Sequence, residues 1–183
     1  MRLFIGIDVP EEVKEKAELL EQEIKSLQGS FTFVKKEAMH ITLNFIGEVD
    51  EQKAQAATKA LSSISIARFP VSFEGVSYFS PKFIKVVYLG ISKGVQELKT
   101  AFSIIGNALA EAGVPYEHSL PYVPHFTIAR VKYIKDKAPL LNLIEKHKSE
   151  KFGDFEVGAI ALKKSTLTPE GPVYENLYEL KLL

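Results

Sequence analysis

One phrase is written twice in this chain, and it limits what the chain can fold into more than any other feature. The first copy is His40-Ile41-Thr42-Leu43-Asn44-Phe45-Ile46 and the second is His125-Phe126-Thr127-Ile128-Ala129-Arg130. Each is a His-x-Thr set among apolar residues that alternate or cluster as in a half-buried strand. Residues two apart on a strand share a face, so His40 stands beside Thr42 and His125 beside Thr127. A proton-transfer group is therefore paired with a hydroxyl twice.

The surrounding pattern repeats as well. Arg2 to Asp8 reads as a buried strand, with Asp8 and Glu11 at capping-box spacing and Pro10 acceptable in a first helical turn. The helix that follows carries Val13, Ala17, Leu20, Ile24 and Leu27 on one stripe and stops at Gly29. Residues 31–34 form a short strand, and the first His-x-Thr strand runs from about Met39 to Val49. Asp50 then caps a helix with Ala54, Ala57 and Leu61 inside, and strand character returns at 69–79.

After a break at Ser80-Pro81, residues 83–90 resemble the opening strand. The next helix has Val95, Leu98, Phe102, Ile105 and Leu109 on one stripe and stops at Gly113. A Pro-rich connection, Val114 to Pro124, leads into the second His-x-Thr strand. A helix over 136–148 and strands over 155–167 and 174–182 follow, the last two flanking a Pro169-Glu170-Gly171-Pro172 turn. His40 lies 38 residues after Arg2 and His125 lies 42 after Phe83, so the motifs fall at matching places. The expectation is one bilobal α/β (α+β) domain over 1–183, with pseudo-repeat halves at about 2–79 and 83–183 and the His-x-Thr strands facing one cleft.

Composition narrows the partners. The 23 basic and 23 acidic side chains cancel, which excludes gripping a polyanion by bulk charge and requires a local patch instead. Only Arg2, Arg68 and Arg130 are arginines, and Arg130 ends a motif. The absence of cysteine removes disulfides, thiolate chemistry and Cys-ligated metals. The apolar start is too short for a signal peptide and no run reaches membrane-spanning length, so a cytoplasmic protein is expected.

Imidazole titrates near ~6.5, so one of a pair can hold a proton while the other accepts one. Placed on opposite sides of a phosphorus, His40 and His125 can protonate a departing oxygen and deprotonate an attacking one. The hydroxyls of Thr42 and Thr127 would hold the non-bridging oxygens. A single His-x-Thr would read as a buried structural histidine; two at matching places favour chemistry. Metal binding lacks a second ligand at His-x-His spacing in either motif. Five residues separate Arg130 from His125, so strict alternation turns it to the opposite face unless the strand bends. His118 and His147 read as surface residues, and Lys35, Lys36, Lys132 and Lys135 as a solvated face that could also collar a cleft. Phe45, Tyr78, Phe79 and Tyr122 read as core aromatics able to stack on a base.

These phrases, with the opening Arg2-Leu-Phe-Ile-Gly-Ile-Asp8, the Leu43-Asn-Phe-Ile-Gly47 continuation and the Pro124 to Arg130 run, resemble the two-histidine phosphoesterases. Within these the likeness is to the RNA 2′,3′-cyclic phosphodiesterases, also called 2′-5′ RNA ligases, and it spans the whole chain. The resemblance implies two lobes with an antiparallel sheet in each, helices outside and the active site between. It implies hydrolysis of RNA 2′,3′-cyclic phosphate ends to 2′-phosphates without metal or cofactor, with reversible ATP-independent 2′-5′ joining of tRNA-half-like ends. By position, His40 would be the proton donor and His125 the proton acceptor, with Thr42, Thr127 and Arg130 on the phosphate. A monomer is expected. The alternatives are a non-catalytic RNA-end or nucleotide-binding module, and a phosphodiesterase for a small cyclic or 2′-5′-linked nucleotide.

Overall fold

The computed structural model describes residues 1–80, 82–118 and 121–183. The strand Arg2–Asp8 (β1) leads to the helix Glu11–Lys25 (α1), the strand Gly29–Phe33 (β2), a 3-10 turn at Lys36–Ala38 and the strand His40–Glu48 (β3). The helix Glu51–Ser62 (α2) and strand Phe69–Phe79 (β4) complete the first part. Next come the strand Val86–Lys93 (β5), the helix Val95–Glu111 (α3), the strand Phe126–Ile134 (β6) and the helix Ala138–Lys146 (α4). Three strands close the chain: Lys151–Val157 (β7), Ala159–Thr168 (β8) and Gly171–Lys181 (β9).

The strands form two sheets, ordered β3-β1-β8-β9 and β2-β6-β5-β4-β7, with neighbours antiparallel throughout. Helices α2 and α3 pack together on the first sheet, while α1 lies against β6 and β7 and α4 against β4 of the second. Val13, Ala17, Leu20 and Ile24 of the expected stripe are buried on α1, Ala54, Ala57 and Leu61 on α2, and Leu98, Ile105 and Leu109 on α3, while Leu27, Val95 and Phe102 are only partly buried. In the larger sheet Phe73 meets Phe126 edge-on at 5.6 Å and stacks on Phe155 at 6.0 Å. Both sheets draw strands from both halves of the chain: β8 and β9 join β1 and β3, while β2 and β4 join β5, β6 and β7.

Several local expectations change. The single strand expected over 155–167 is two, because the chain stays extended through Gly158 while passing from one sheet to the other. Alternation cannot register a change of sheet that involves no turn. Asp8 does not cap α1, whose first residue is Glu11 after an extended Pro10; its carboxylate lies 2.8 Å from Lys163 Nζ instead. Asp50 does cap α2, accepting from the Lys53 N–H at 2.8 Å. The fifth strand starts at Val86 rather than 83. The expected break at Pro81 and residues 119–120 of the Pro-rich connection lie outside the described residues. Among the described residues no helix is long and apolar enough to cross a membrane.

Removing the Phe126 ring leaves a void in a fully buried position. Phe126→Ala is expected to cost about 3–5 kcal/mol, and Asp50→Ala about 1 kcal/mol, both read from urea unfolding. Equal losses would contradict this placement of the core and the cap.

Candidate active site

The two motif strands break their alternation at the same point. Along β3 the partners on β1 jump from Thr42, opposite Gly6, to Asn44, opposite Ile5, leaving Leu43 as an extra residue. Along β6 the partners on β5 jump from Thr127, opposite Tyr88, to Ala129, opposite Val87, leaving Ile128 extra. Each β-bulge falls three residues after its histidine, so two successive residues point to the core: Leu43 and Asn44, Ile128 and Ala129. The face that carries His and Thr then resumes five residues after the histidine, at Phe45 and Arg130. This is how Arg130 comes to the same cleft as His125 and Thr127.

Both imidazoles are held in the same way. His40 Nδ1–H donates to the Ala38 carbonyl and His125 Nδ1–H to the Val123 carbonyl, each at 2.7 Å. Because a carbonyl only accepts, each neutral ring carries its proton on Nδ1 and leaves Nε2 free of one. His40 Nε2 accepts from the Thr42 hydroxyl at 2.8 Å, whereas His125 Nε2 has no partner among the described residues. Phe4 lies against His40 at 4.7 Å and Tyr174 meets it edge-on at 5.2 Å. Phe79 and Tyr88 enclose His125 similarly, at 4.8 and 5.4 Å. A Cβ at Gly6 would sit 2.9 Å from the Ile41 carbonyl and 3.3 Å from the His40 ring, so β1 approaches this closely only as glycine.

Burial dominates the proton affinity of both rings. It pulls His40 down to about 4, against the help of its bond to Ala38; Lys163 and His125 lower it further and Asp8 opposes them. Burial likewise lowers His125, again opposed by its carbonyl bond, with Arg130 adding to the depression. Lys163 is itself buried, 5% exposed, with Nζ bound to Asp8 at 2.8 Å and to Asn176 Oδ1 at 2.7 Å. Burial pushes the Tyr122 hydroxyl up, so it remains a donor, to the Thr42 carbonyl at 2.8 Å. The Glu117 N–H donates to the Phe45 carbonyl at 2.8 Å, so the segment before β6 covers the edge of β3 at two points.

His40, Thr42, His125, Thr127 and Arg130 all line one cleft of about 330 Å³ between the sheets. Arg2, at the start of β1, lines it too. Among the described residues Arg68 alone of the three arginines pairs with a carboxylate, Glu156 at 3.5 Å. A neutral chain thus presents two uncompensated guanidinium groups to one hollow.

Other candidates fall elsewhere. Lys36 is turned to α1, with Nζ 2.9 Å from Glu11 and 3.4 Å from Glu18, and Lys35 borders an adjoining hollow; Lys132 and Lys135 are exposed. His118 is exposed as expected. His147 is not a surface residue: it is 8% exposed, bound through Nε2 to Glu23 at 3.1 Å and through Nδ1 to Glu150. Glu150 closes the turn that follows His147, whereas Glu23 comes from α1, which the helix pattern around His147 does not reveal. Tyr122 stacks on Phe102 at 4.5 Å, while Phe45 faces the cleft. Residue reading missed Arg2, Phe4 and Tyr174 as cleft residues and Lys163 behind His40. Alternation on β1 does put Arg2 and Phe4 opposite the core residues Leu3, Ile5 and Ile7, but which strand lies beside β1 is not written locally.

Two antiparallel sheets, each bringing a histidine-threonine pair to a shared cleft, are the architecture of two-histidine phosphoesterases. The chain belongs to the LigT-like phosphoesterase family, whose sequence profile matches residues 7–88 and again 89–174. It is similar to an RNA 2′,3′-cyclic phosphodiesterase of Methanocaldococcus jannaschii, 39% identical over 98% of this chain and 99% of the relative. One of Thermotoga maritima is 40% identical over 98% of this chain and 94% of that protein. The crystal structure of a Thermus thermophilus protein superposes with a TM-score of 0.80 at 25% identity, covering 100% of this chain and 98% of that one.

The histidines set opposite pH dependences of stability. Unfolded, each titrates near ~6.5; folded, His40 stays neutral down to about 4. Between these values the unfolded chain binds more protons, so His40 makes stability rise with pH across that window. His125 acts in the same direction. His147 is raised by its two carboxylates against the effect of burial, so its contribution is present below ~6.5 and lost as pH climbs through its folded value. His40→Gln is expected to flatten the Tm profile between about 4 and 6.5, and His147→Gln to flatten it above ~6.5. Unchanged acid-side slope in His40→Gln would contradict a neutral, half-buried His40.

Proposed function

We propose that the protein hydrolyses the 2′,3′-cyclic phosphate at RNA ends to a 2′-phosphate, without a metal, by proton transfer between its two cleft histidines. The observation that carries this reading is the pair of imidazoles with proton-free Nε2 atoms in one cleft, each beside a threonine. His125 takes a proton from the attacking water, the new P–O bond forms, the bond from phosphorus to O3′ breaks, and His40 delivers its proton to O3′. Thr42, Thr127 and Arg130 hold the phosphate oxygens. The full-length likeness to two RNA 2′,3′-cyclic phosphodiesterases supports the choice of substrate.

In the free cleft both histidines are neutral, so the acid is loaded when the anionic phosphate enters and favours an imidazolium. For His40 to reach O3′, that oxygen must take the place of Thr42 Oγ1 on Nε2. The released hydroxyl can then turn its hydrogen to a phosphate oxygen. With an RNA 5′-hydroxyl in place of water, the same steps join two ends through a 2′-5′ linkage, as in tRNA halves. One chain supplies every group this chemistry uses, which supports action as a monomer. The cytoplasm suits a chain without cysteine.

Incubated in chelator with RNA ending in a 2′,3′-cyclic phosphate, the protein is expected to release only the 2′-phosphate. His40→Ala and His125→Ala should each lower kcat by about 100-fold or more while RNA binding is largely kept. Turnover only with added metal, a 3′-phosphate product, or near-full rate in either variant would sink the mechanism.

A further inference from the structure

Among the described residues one lysine is buried, Lys163 on β8. It stands opposite Phe4, whose ring packs on His40 at 4.7 Å. Its side chain reaches along the sheet to Asp8, the residue of β1 that faces His40 in the ladder. Nζ lies 2.8 Å from that carboxylate and 2.7 Å from Asn176 Oδ1 on β9.

Stability does not account for this lysine. Taking an ammonium group out of water is costly, and an apolar side chain of similar volume serves a core as well or better. Its partner offsets little, because the Asp8 side chain is 57% exposed against 6% for Lys163. The same asymmetry decides what the pair does to His40. A carboxylate in water is screened, whereas a charge in the dry interior acts at a lower effective dielectric constant. The ion pair therefore presents a net positive charge to the ring from outside the cleft.

The other charged and titratable groups round His40 are none of them buried. Tyr174 meets the ring edge-on from β9, His125 and Arg130 lie across the cleft, and Arg2 lines it from the far end of β1. In the turn before β3, Lys36 is turned to α1 and Glu37 is exposed. Burial is the main cause that lowers the proton affinity of His40, and of the charged groups Lys163 adds most to it.

We propose that Lys163 is a positioning residue for the acid: its buried charge opposes a proton on His40 Nε2, so the ring takes one up only against an anionic phosphate. The imidazolium then gives that proton readily to O3′ as the bond from phosphorus to O3′ breaks, and the neutral ring is restored. This rests on the phosphodiesterase reading of the cleft with His40 as the donor.

The test follows the ring titrations of His40 and His125 by NMR, and the pH profile of kcat/KM on RNA ending in a 2′,3′-cyclic phosphate, in the wild type, Lys163→Met and Lys163→Arg. Methionine fills much of the same space without charge; arginine keeps the charge. In Lys163→Met, His40 is expected to take up its proton about one pH unit higher than in the wild type. His125 should move far less, one limb of the rate profile should rise with His40, and Lys163→Arg should stay near the wild type in both readouts. An unmoved His40 in Lys163→Met overturns the proposal. Equal shifts of both histidines, or the same shift in a folded Lys163→Arg, overturn it as well, since either marks disturbed packing rather than a lost charge. A shifted His40 with an unmoved rate profile separates the lysine from the reaction and also overturns it. Should the larger arginine not fold, the contrast between His40 and His125 within Lys163→Met decides. The titration needs no substrate, so a wild type that turns over no RNA end sinks the phosphodiesterase reading alone, while the hold of Lys163 on His40 is still read from the ring.

Discussion

The site depends on a bond that looks minor, the donation from each histidine Nδ1–H to the backbone carbonyl two residues earlier. That bond fixes the tautomer, stops the ring from turning and leaves Nε2 free of a proton. It is available because each histidine stands where irregular chain becomes strand. Ala38 closes a 3-10 turn and Val123 precedes Pro124, so neither carbonyl is committed to a sheet ladder. The same carbonyl bonds favour a cationic ring, while burial resists it. Each imidazole is held where a small change of environment, such as an arriving phosphate, moves its proton affinity.

Around that pair the fold supplies position through bulges and cross-lobe contacts. The duplicated bulge turns Arg130 and Phe45 to the cleft and sends Asn44 inward, where its Nδ2 donates to the Phe102 carbonyl of α3 at 3.2 Å. Tyr122 and Glu117, from the segment that leads to His125, are bonded to carbonyls of the strand that carries His40. One motif strand is thus held by the chain that delivers the other. The exchange of strands between sheets has the same effect on a larger scale, because neither sheet can form from one half of the chain alone.

Much of this was legible from residue patterns, where the pattern and the physics are both local. The strand at 69–79, the stripe of α3, the Asp50 cap and the shared face of His and Thr each depend on neighbours a few residues away. The failures share the opposite property. Asp8 has capping-box spacing, yet its partner is a buried lysine on β8. His147 looks solvated on its helix and is buried against Glu23 from α1. Gly158 lies inside what reads as one strand and marks a change of sheet. Arg130 fails simple parity because an extra residue in the ladder is visible only once the pairing strand is known.

The central claim is that the two histidines act on one phosphorus. A crystal structure of the protein with inorganic phosphate tests it most directly. Action on one phosphorus requires the ion between His40 and His125, with oxygens within hydrogen-bond reach, about 2.6–3.2 Å, of both Nε2 atoms and of the Thr42 and Thr127 hydroxyls. A phosphate bound to only one histidine, with the other turned from the cleft, would contradict it.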